Sequence, residues 1–428
     1  MAQDPLCLLC VEPRFPGRLG AVADWLVRTR GYRCWFYCNG VGPRDHWPPS
    51  TGRGLEVVRF EVGGVARERS VPWTRSLERG LCYAYGAWEV LEARRPGPID
   101  VVLGRSHGLG STLFVPAFAP RAPIVNLFDY YYLPRSYDLA DDLAHRLPPD
   151  YVRWRQSANA MDLLDLENGV LPWTTSEWQR GLFPPEYRDD FFVQHDGVDL
   201  RRFRGEPRRA GSRSRAIAGR SVPEGALVVS FIAPEPDRLR GFDRFLSLSN
   251  RLIRERADVI CVVLGGGPVR RGLDVEHFGA DFGTLALRDD PPADPARLWM
   301  LGAVSPETVA ELLRTTDLHV YPSRPFVPSR SLFEAMAAGA PVLAWDAEPV
   351  REVLDDGRTG RITPADDPER AALLALDLLA DADTRQAIGE GAAAVSRERF
   401  DRDRCLSRLA GLLDDLAKRS YSPAIGGR

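Results

Sequence analysis

A chain of 428 residues, 44% apolar and with a formal net charge of −3, has the composition of an ordinary globular protein with room for two cores of roughly 200 residues each. The charge excludes the strongly basic balance of a nucleic-acid binder. No segment reaches the ~20 consecutive apolar residues that a membrane-spanning helix needs. Lys418 is the only lysine, so cationic tasks fall to arginine, which stays charged and makes forked contacts with phosphate.

The chain opens with Asp4 where a signal peptide would carry positive charge, so the first stretch reads as a strand over 6–11 and the protein as cytoplasmic. A loop over 12–18 leads to a helix over 19–30 that Gly31 ends, then a strand over 33–37. A helix over 75–95, a strand over 100–103, a loop over 104–111 and a strand over 124–129 continue the alternation. A helical stretch begins at 161–166, and a strand ends near 173–176. This is the α/β pattern of a parallel sheet. Cys7-x2-Cys10 and Cys34-x3-Cys38 have the spacing of a zinc site, but residues three apart on a strand face opposite sides, so they read as small core residues.

Arginine crowds the chain from Arg201 to Arg220, which reads as a solvated linker face, with contact to anionic lipid as the alternative. The second half repeats the pattern with a strand over 227–232, a helix over 242–256 and a strand over 259–264 that ends in Gly265-Gly266-Gly267. A helix over 306–315 follows the segment 298–302, and residues 369–419 read as helix broken near Asp381 and Asp401. Between these lies the most informative stretch, YPSRPFVPSRSLFEAMAAGAPVLAWDAEPVREVLDDGRTG, from Tyr321 to Gly360. It reads as strand over 318–321, polar loop, helix over 331–339, strand over 341–345. That order presents helix N-terminal N–H groups to a phosphate at the carboxyl edge of a parallel sheet.

The wording of this stretch resembles the nucleotide-sugar site of family 4 glycosyltransferases, P-S-x-x-E-x7-E-A-M-A-x-G-x-P-V followed by x-x-E-x-x-x-D-G-x-x-G. Glu334, Ala335, Met336, Ala337, Gly339, Pro341, Val342, Glu352, Asp356, Gly357 and Gly360 fit. The first glutamate of the pattern is replaced by Phe326, as in a smaller subgroup that reads P-F-V-x-S-x-S-L-x-E-A-M-A. FFVQHDGVDLRRF, residues 191–203, is similar to the family's entry to its second domain. The resemblance implies a GT-B fold: two Rossmann-like domains facing each other across a cleft, here an acceptor-side domain over 1–195 and a nucleotide-sugar domain over 196–400. A last helix and tail over 401–428 would cross back to the first domain.

It also implies a retaining, metal-independent transfer of a sugar from a nucleotide diphosphate sugar to a hydroxyl acceptor, with no cofactor beyond that donor. Small-molecule, glycan and lipid-linked acceptors all remain open, as does peripheral membrane contact. Glu334 would accept hydrogen bonds from ribose hydroxyls, a task suited to a group with acceptor capacity alone; Ser331-x-x-Glu334 also has the spacing of a capping box. Arg240, just before Gly241, matches the family's diphosphate lysine, and Arg238 stands close to the family's arginine position, which holds Pro234. A solvated loop is the plain reading of both. Ser329, Ser331 and Leu332 would supply donors at the helix start, Pro328 having no N–H.

In the first half, Phe15-Pro16-Gly17 resembles F-P-G-Q-F-x-x-L, where glycine lets backbone approach sugar; a simple turn explains Gly17 equally. His107, in RSHGLGST, resembles the histidine of H-x-G-W-G-E that lies near the donor sugar, against the ordinary reading of a structural histidine. His107 and Arg240 are the candidate catalytic residues. Asp129 and Tyr130, from DYYY, are similar to F-E-F-Y-Y and would face the acceptor, unless the aromatics form a packed rim. Two other functions fit the same fold. An inactive protein that binds a nucleotide sugar or a protein partner would account for Phe326 and Pro234. A nucleotide-sugar epimerase would require inter-domain carboxylates that the sequence does not display.

Overall fold

The computed structural model describes residues 5–42, 48–62, 71, 73–94, 96–106, 112–133, 149–204, 216–265 and 281–419. The chain forms two compact units: Met1–Asp196 together with Asp403–Arg428, and Gly197–Arg402.

In the first unit, β1 (Cys7–Val11) runs into α1 (Leu19–Arg30) and returns as β2 (Arg33–Cys38). Gly31 ends α1 in the left-handed region at φ 71°, where its N–H and that of Tyr32 reach back to Val27 and Leu26 carbonyls. Arg28 and Arg30 sit in the last turn, where positive charge suits the helix dipole. β3 (Leu55–Arg59), α2 (Arg75–Arg94), β4 (Val101–Arg105), β5 (Ile124–Leu127), α3 (Ala160–Glu167), β6 (Leu171–Thr174) and β7 (Phe192–Val193) follow. The seven strands lie in the order β3-β2-β1-β4-β5-β6-β7, all pairs parallel. Apolar runs such as LLCV in β1 and VVL in β4 are buried throughout, as parallel strands covered on both faces require. The described cysteines are free, and Cys10, Cys34 and Cys38 are buried core residues.

The second unit contains β8 (Leu227–Ile232), α4 (Phe242–Glu255), β9 (Val259–Leu264), β10 (Leu298–Met300), α5 (Pro306–Thr315), β11 (Leu318–Tyr321), α6 (Arg330–Ala337), β12 (Val342–Trp345) and β13 (Arg361–Thr363). Its six strands run parallel in the order β10-β9-β8-β11-β12-β13. α7 (Pro368–Ala380) and α8 (Ala382–Arg399) are separated by Asp381, whose side chain accepts from the Thr384 N–H and starts the second helix. α6 packs on α8 through backbone: a Cβ at Gly389 would lie 2.2 Å from the Gly339 carbonyl oxygen. The last helix, α9 (Arg402–Lys418), belongs to the first unit from Asp403 onward, where Leu406, Leu409, Ala410 and Leu413 join its core.

Each sheet reverses its strand order once. In the first unit the reversal lies between β1 and β4, in the second between β8 and β11. Loops leaving the carboxyl ends of two such strands diverge to opposite faces and leave a crevice, the place where open α/β sheets bind ligands.

Candidate functional site

In the second unit the crevice is flanked by the loop after β8 and the loop after β11. Gly241, at φ 75°, brings the first against the second so closely that a Cβ would lie 2.1 Å from the Pro322 carbonyl oxygen. The residue before it, Arg240, is fixed at both ends. Its N–H donates to Asp237 Oδ1 at 2.7 Å, and its guanidinium donates to the Val327 carbonyl at 2.9 Å. The guanidinium carbon lies 5.5 Å from the centre of the Phe326 ring. Among the described residues, its side-chain partners are thus neutral: a carbonyl and an aromatic face. Arg238 stands over the Phe282 ring at 4.8 Å.

Two arginines not singled out in the sequence belong to the same edge. Arg324 forks onto Asp243 at 2.8 and 3.0 Å and takes the Leu239 carbonyl on its N–H, tying the two loops together. Arg244 donates to the Pro322 carbonyl at 3.3 Å. Burial and then repulsion from Arg324 bring its pKa down to about 10, against the attraction of Asp243 and Asp366. Both residues follow recognisable punctuation, Gly241-Phe242-Asp243 and Pro322-Ser323, but an arginine-rich sequence hides which arginines converge.

The helix start differs from the sequence expectation. α6 begins at Arg330, with Ser329 as the extended residue before it and no side-chain cap. Ser331 lies inside the first turn, so the Ser331–Glu334 spacing does not form a capping box. The Ser329 and Ser331 hydroxyls bond each other at 2.7 Å, and the Ser329 N–H donates to the Tyr321 hydroxyl at 2.9 Å. Leu332 is the weakest of the expected donors: its side chain is core, and its N–H is taken by the Ser329 carbonyl. Glu334 is half-buried one turn into the helix. Asp356, part of the quoted motif, caps a turn by accepting from Arg361 and the Ile362 N–H. His319, the histidine of β11, is buried against Ser230, and burial brings its pKa down to about 3, so it is a neutral core group.

In the first unit the crevice carries an ion network that sequence reading missed. Glu12, directly after β1, is 1% exposed; its carboxylate accepts from Arg105 at 3.1 Å and from the N–H groups of Arg18 and Leu19. Arg18 forks onto Asp196 at 2.6 and 2.8 Å and reaches Asp129 at 3.0 Å. Arg105 bonds the other Asp129 oxygen at 2.6 Å. Burial lifts the pKa of Glu12, opposed by Arg105. Burial works against the charge of Arg18, yet Asp196, Asp129 and Glu12 together hold its pKa above the ordinary value; Asp129 and Glu12 do the same for Arg105. Gly17, at φ 54°, is required here, because a Cβ would lie 2.2 Å from Glu12 Oε2.

Two acceptor-side expectations change accordingly. The Asp129 carboxylate is engaged by guanidinium groups on both oxygens, so it shapes this edge as part of an ionic lock. Tyr130 is buried, packed edge-on to Tyr132 at 5.1 Å and near Trp178 at 6.2 Å, which makes it part of an aromatic core and not an open stacking surface. His107 lies outside the described residues, as do Gly266 and Gly267.

The family described as "Glycosyl transferase family 4 group" matches residues 30–203, and "Glycosyl transferases group 1" matches residues 227–381. The chain is 28% identical over 356 residues to the D-inositol 3-phosphate glycosyltransferase of Streptomyces scabiei, covering 80% of this chain and 73% of the relative. Among solved structures it is similar to the sucrose-phosphate synthase of Thermosynechococcus elongatus, with a TM-score of 0.70 at 14% identity, covering 96% of this chain and 99% of the other. It is also similar to Anabaena HepE, solved in complex with UDP and glucose, with a TM-score of 0.67 at 16% identity over 96% of this chain and all (100%) of the other. Two Rossmann-like units, as in the GT-B fold, and two family matches spanning most of the sequence establish that the chain belongs to the family 4 glycosyltransferases and is a hexosyltransferase-type enzyme.

Proposed function

We propose that this glycosyltransferase moves a sugar from a nucleotide diphosphate sugar to a hydroxyl acceptor with retention of anomeric configuration. One observation carries the reading: at the switch point of the second unit Arg240, whose described side-chain partners are neutral, stands in the loop facing the one that leads into a helix without a side-chain cap. Two negative phosphates would meet a guanidinium and helix N–H groups there, and both stabilise charge most strongly as it builds on a leaving group. Glu334 is assigned to the ribose, and Arg238 and Arg244 to the surrounding positive field. HepE, solved with UDP and with UDP-glucose, is a precedent for a nucleotide sugar on this fold.

Catalysis rests on leaving-group stabilisation. Phenylalanine at 326 can neither accept a proton nor attack the anomeric carbon, so in this reading the reaction runs without a carboxylate at that position. The cationic work is assigned to arginine, and turnover is expected to survive a chelator; loss of activity in EDTA with recovery on adding manganese would refute that. The donor is identified by thermal shift with UDP-, GDP- and ADP-sugars, because a ligand present at 100 times its Kd stabilises the folded state by about 2.7 kcal/mol. One nucleotide series should raise the melting temperature, and that sugar should be slowly hydrolysed without acceptor. Binding without any hydrolysis or transfer would favour a non-catalytic nucleotide-sugar binder.

A further inference from the structure

In the second unit the loop after β8 and the loop after β11 each lend an arginine to the other, and the two differ in what they bind. The hydrophobic core stops at Ala233 and resumes at Phe242 on the first loop, and stops at Tyr321 and resumes at Leu332 on the second. Residues 234–241 and 322–329 are therefore registered against each other by polar bonds and close backbone approach. Arg324 is the hub of those bonds. Its N–H donates to the Leu239 carbonyl at 2.9 Å. Its guanidinium donates to the Arg238 carbonyl and forks onto the Asp243 carboxylate at 2.8 and 3.0 Å.

Arg238, Leu239 and Asp243 bracket Arg240, so Arg324 grips the chain on both sides of it. In return the Arg240 guanidinium donates to the Val327 carbonyl, further along the Arg324 loop, at 2.9 Å. The two cations are not equivalent. The Arg324 side chain is 10% exposed and its charge is matched by Asp243. Burial opposes the Asp243 charge, yet bonds and attraction from Arg324 hold its carboxyl below the ordinary value. The described side-chain partners of Arg240 are neutral. A buried ion pair is weak evidence for stability, and this one stands at the crevice edge, between stretches of core. What it supplies is geometry: a planar fork fixes orientation as well as distance, which a point charge does not.

We infer that Arg324 is a positioning residue for the transfer: by holding the backbone on both sides of Arg240 it sets where that guanidinium stands. This rests on the proposed reading in one respect, that Arg240 meets the leaving diphosphate. Arg324→Lys keeps a positive charge without the fork, and Asp243→Asn loosens the same clamp from the other side; circular dichroism and melting report whether each is folded. Each should lower kcat about tenfold with donor KM changed less than about twofold. In an Arg240→Ala background the same changes should add less than about twofold, because residues acting as one unit are not additive. A purely structural role would repeat its loss there. Wild-type kcat in both variants, or the full loss repeated in the Arg240→Ala background, overturns the inference. Should Arg240→Ala itself turn over normally, the role of Arg240 fails with the proposed reading, and the positioning claim is decided by amide hydrogen exchange in Arg324→Lys. The Arg240 N–H donates to Asp237 Oδ1 and the Gly241 N–H to the Arg238 carbonyl at 3.0 Å. Faster exchange at those two amides, with β8 and β9 unchanged, upholds the claim; unchanged exchange there overturns it.

Discussion

The two switch points of this enzyme are built from the same parts and wired in opposite ways. In the first unit Arg18 and Arg105 are matched by Glu12, Asp129 and Asp196, so the crevice edge is closed by its own charges. In the second unit Arg240 rests on a carbonyl and an aromatic ring, and the only forked ion pair described at that edge, Arg324 with Asp243, joins the two loops to each other. A charge that is already paired has little to offer a ligand, whereas one held by neutral groups keeps its field. In the proposed reading the first edge therefore holds shape, and the second receives an anion. Removing charges should damage folding in one place and turnover in the other.

The largest effect is expected from Arg105→Ala. It leaves Glu12 buried with its principal cation gone, and breaking such a pair costs about 3 kcal/mol or more. Urea denaturation should show that loss, while the nucleotide affinity of the folded protein stays near wild type. An unchanged midpoint would mean that the network contributes nothing to the fold and that the contrast between the edges is false. Arg240→Ala tests the other side. Turnover should fall about 100-fold, near 2.7 kcal/mol, with a far smaller change in donor binding and little change in stability. Arg240→Lys should recover part of the loss, since the point charge remains without the fork. Normal turnover with a verified donor and acceptor would move the diphosphate elsewhere.

Glu334→Gln sharpens the same edge. Without a capping role to lose, it should leave the melting temperature alone and weaken nucleotide binding by about 1.5–3 kcal/mol, read by calorimetry. A further expected effect is a pH dependence of stability that originates in the first unit. Burial pushes the Asp165 carboxyl up from 3.8 to about 6, partly offset by hydrogen bonds from Ser106 and Asn126. The folded state therefore resists ionisation that the unfolded chain accepts. As pH rises from about 4 through about 6 the wild type should lose up to about 3 kcal/mol relative to Asp165→Asn. A parallel pair of stability curves over that window would exclude the shift.

Much of this architecture was legible in the chain. Segments with clear punctuation, such as the mostly apolar Leu227–Ile232 and the amphipathic Pro306–Thr315, coincide with the structural elements residue for residue. β7 and β13 escaped because two- and three-residue strands carry no periodicity. The second unit's proposed site could be put forward from the sequence because its parts lie in two short segments, 233–242 and 321–339. The first unit's network was not, since Glu12, Arg18, Arg105, Asp129 and Asp196 come together only when β1, β4, β5 and the end of the unit are side by side. The Ser331–Glu334 spacing misled for a local reason: Ser329 already occupies the position before the helix, which moves Ser331 into the first turn.

The contact between Gly339 and Gly389 gives α6 a mechanical property. The helix is eight residues, about 12 Å, long, and its far end rests backbone to backbone on α8. Any side chain at 389 must push that end outward by on the order of 1 Å to reach ordinary contact, tilting the rod by roughly 10° about its middle. The amides at its other end would swing by a comparable distance, and such misplacements of binding groups cost catalysis on the order of 100-fold. If α6 meets the donor phosphate as proposed, its aim would thus be governed by a lever whose fulcrum lies in the hydrophobic interior. Substitutions there would detune the enzyme without altering a single group that meets the donor.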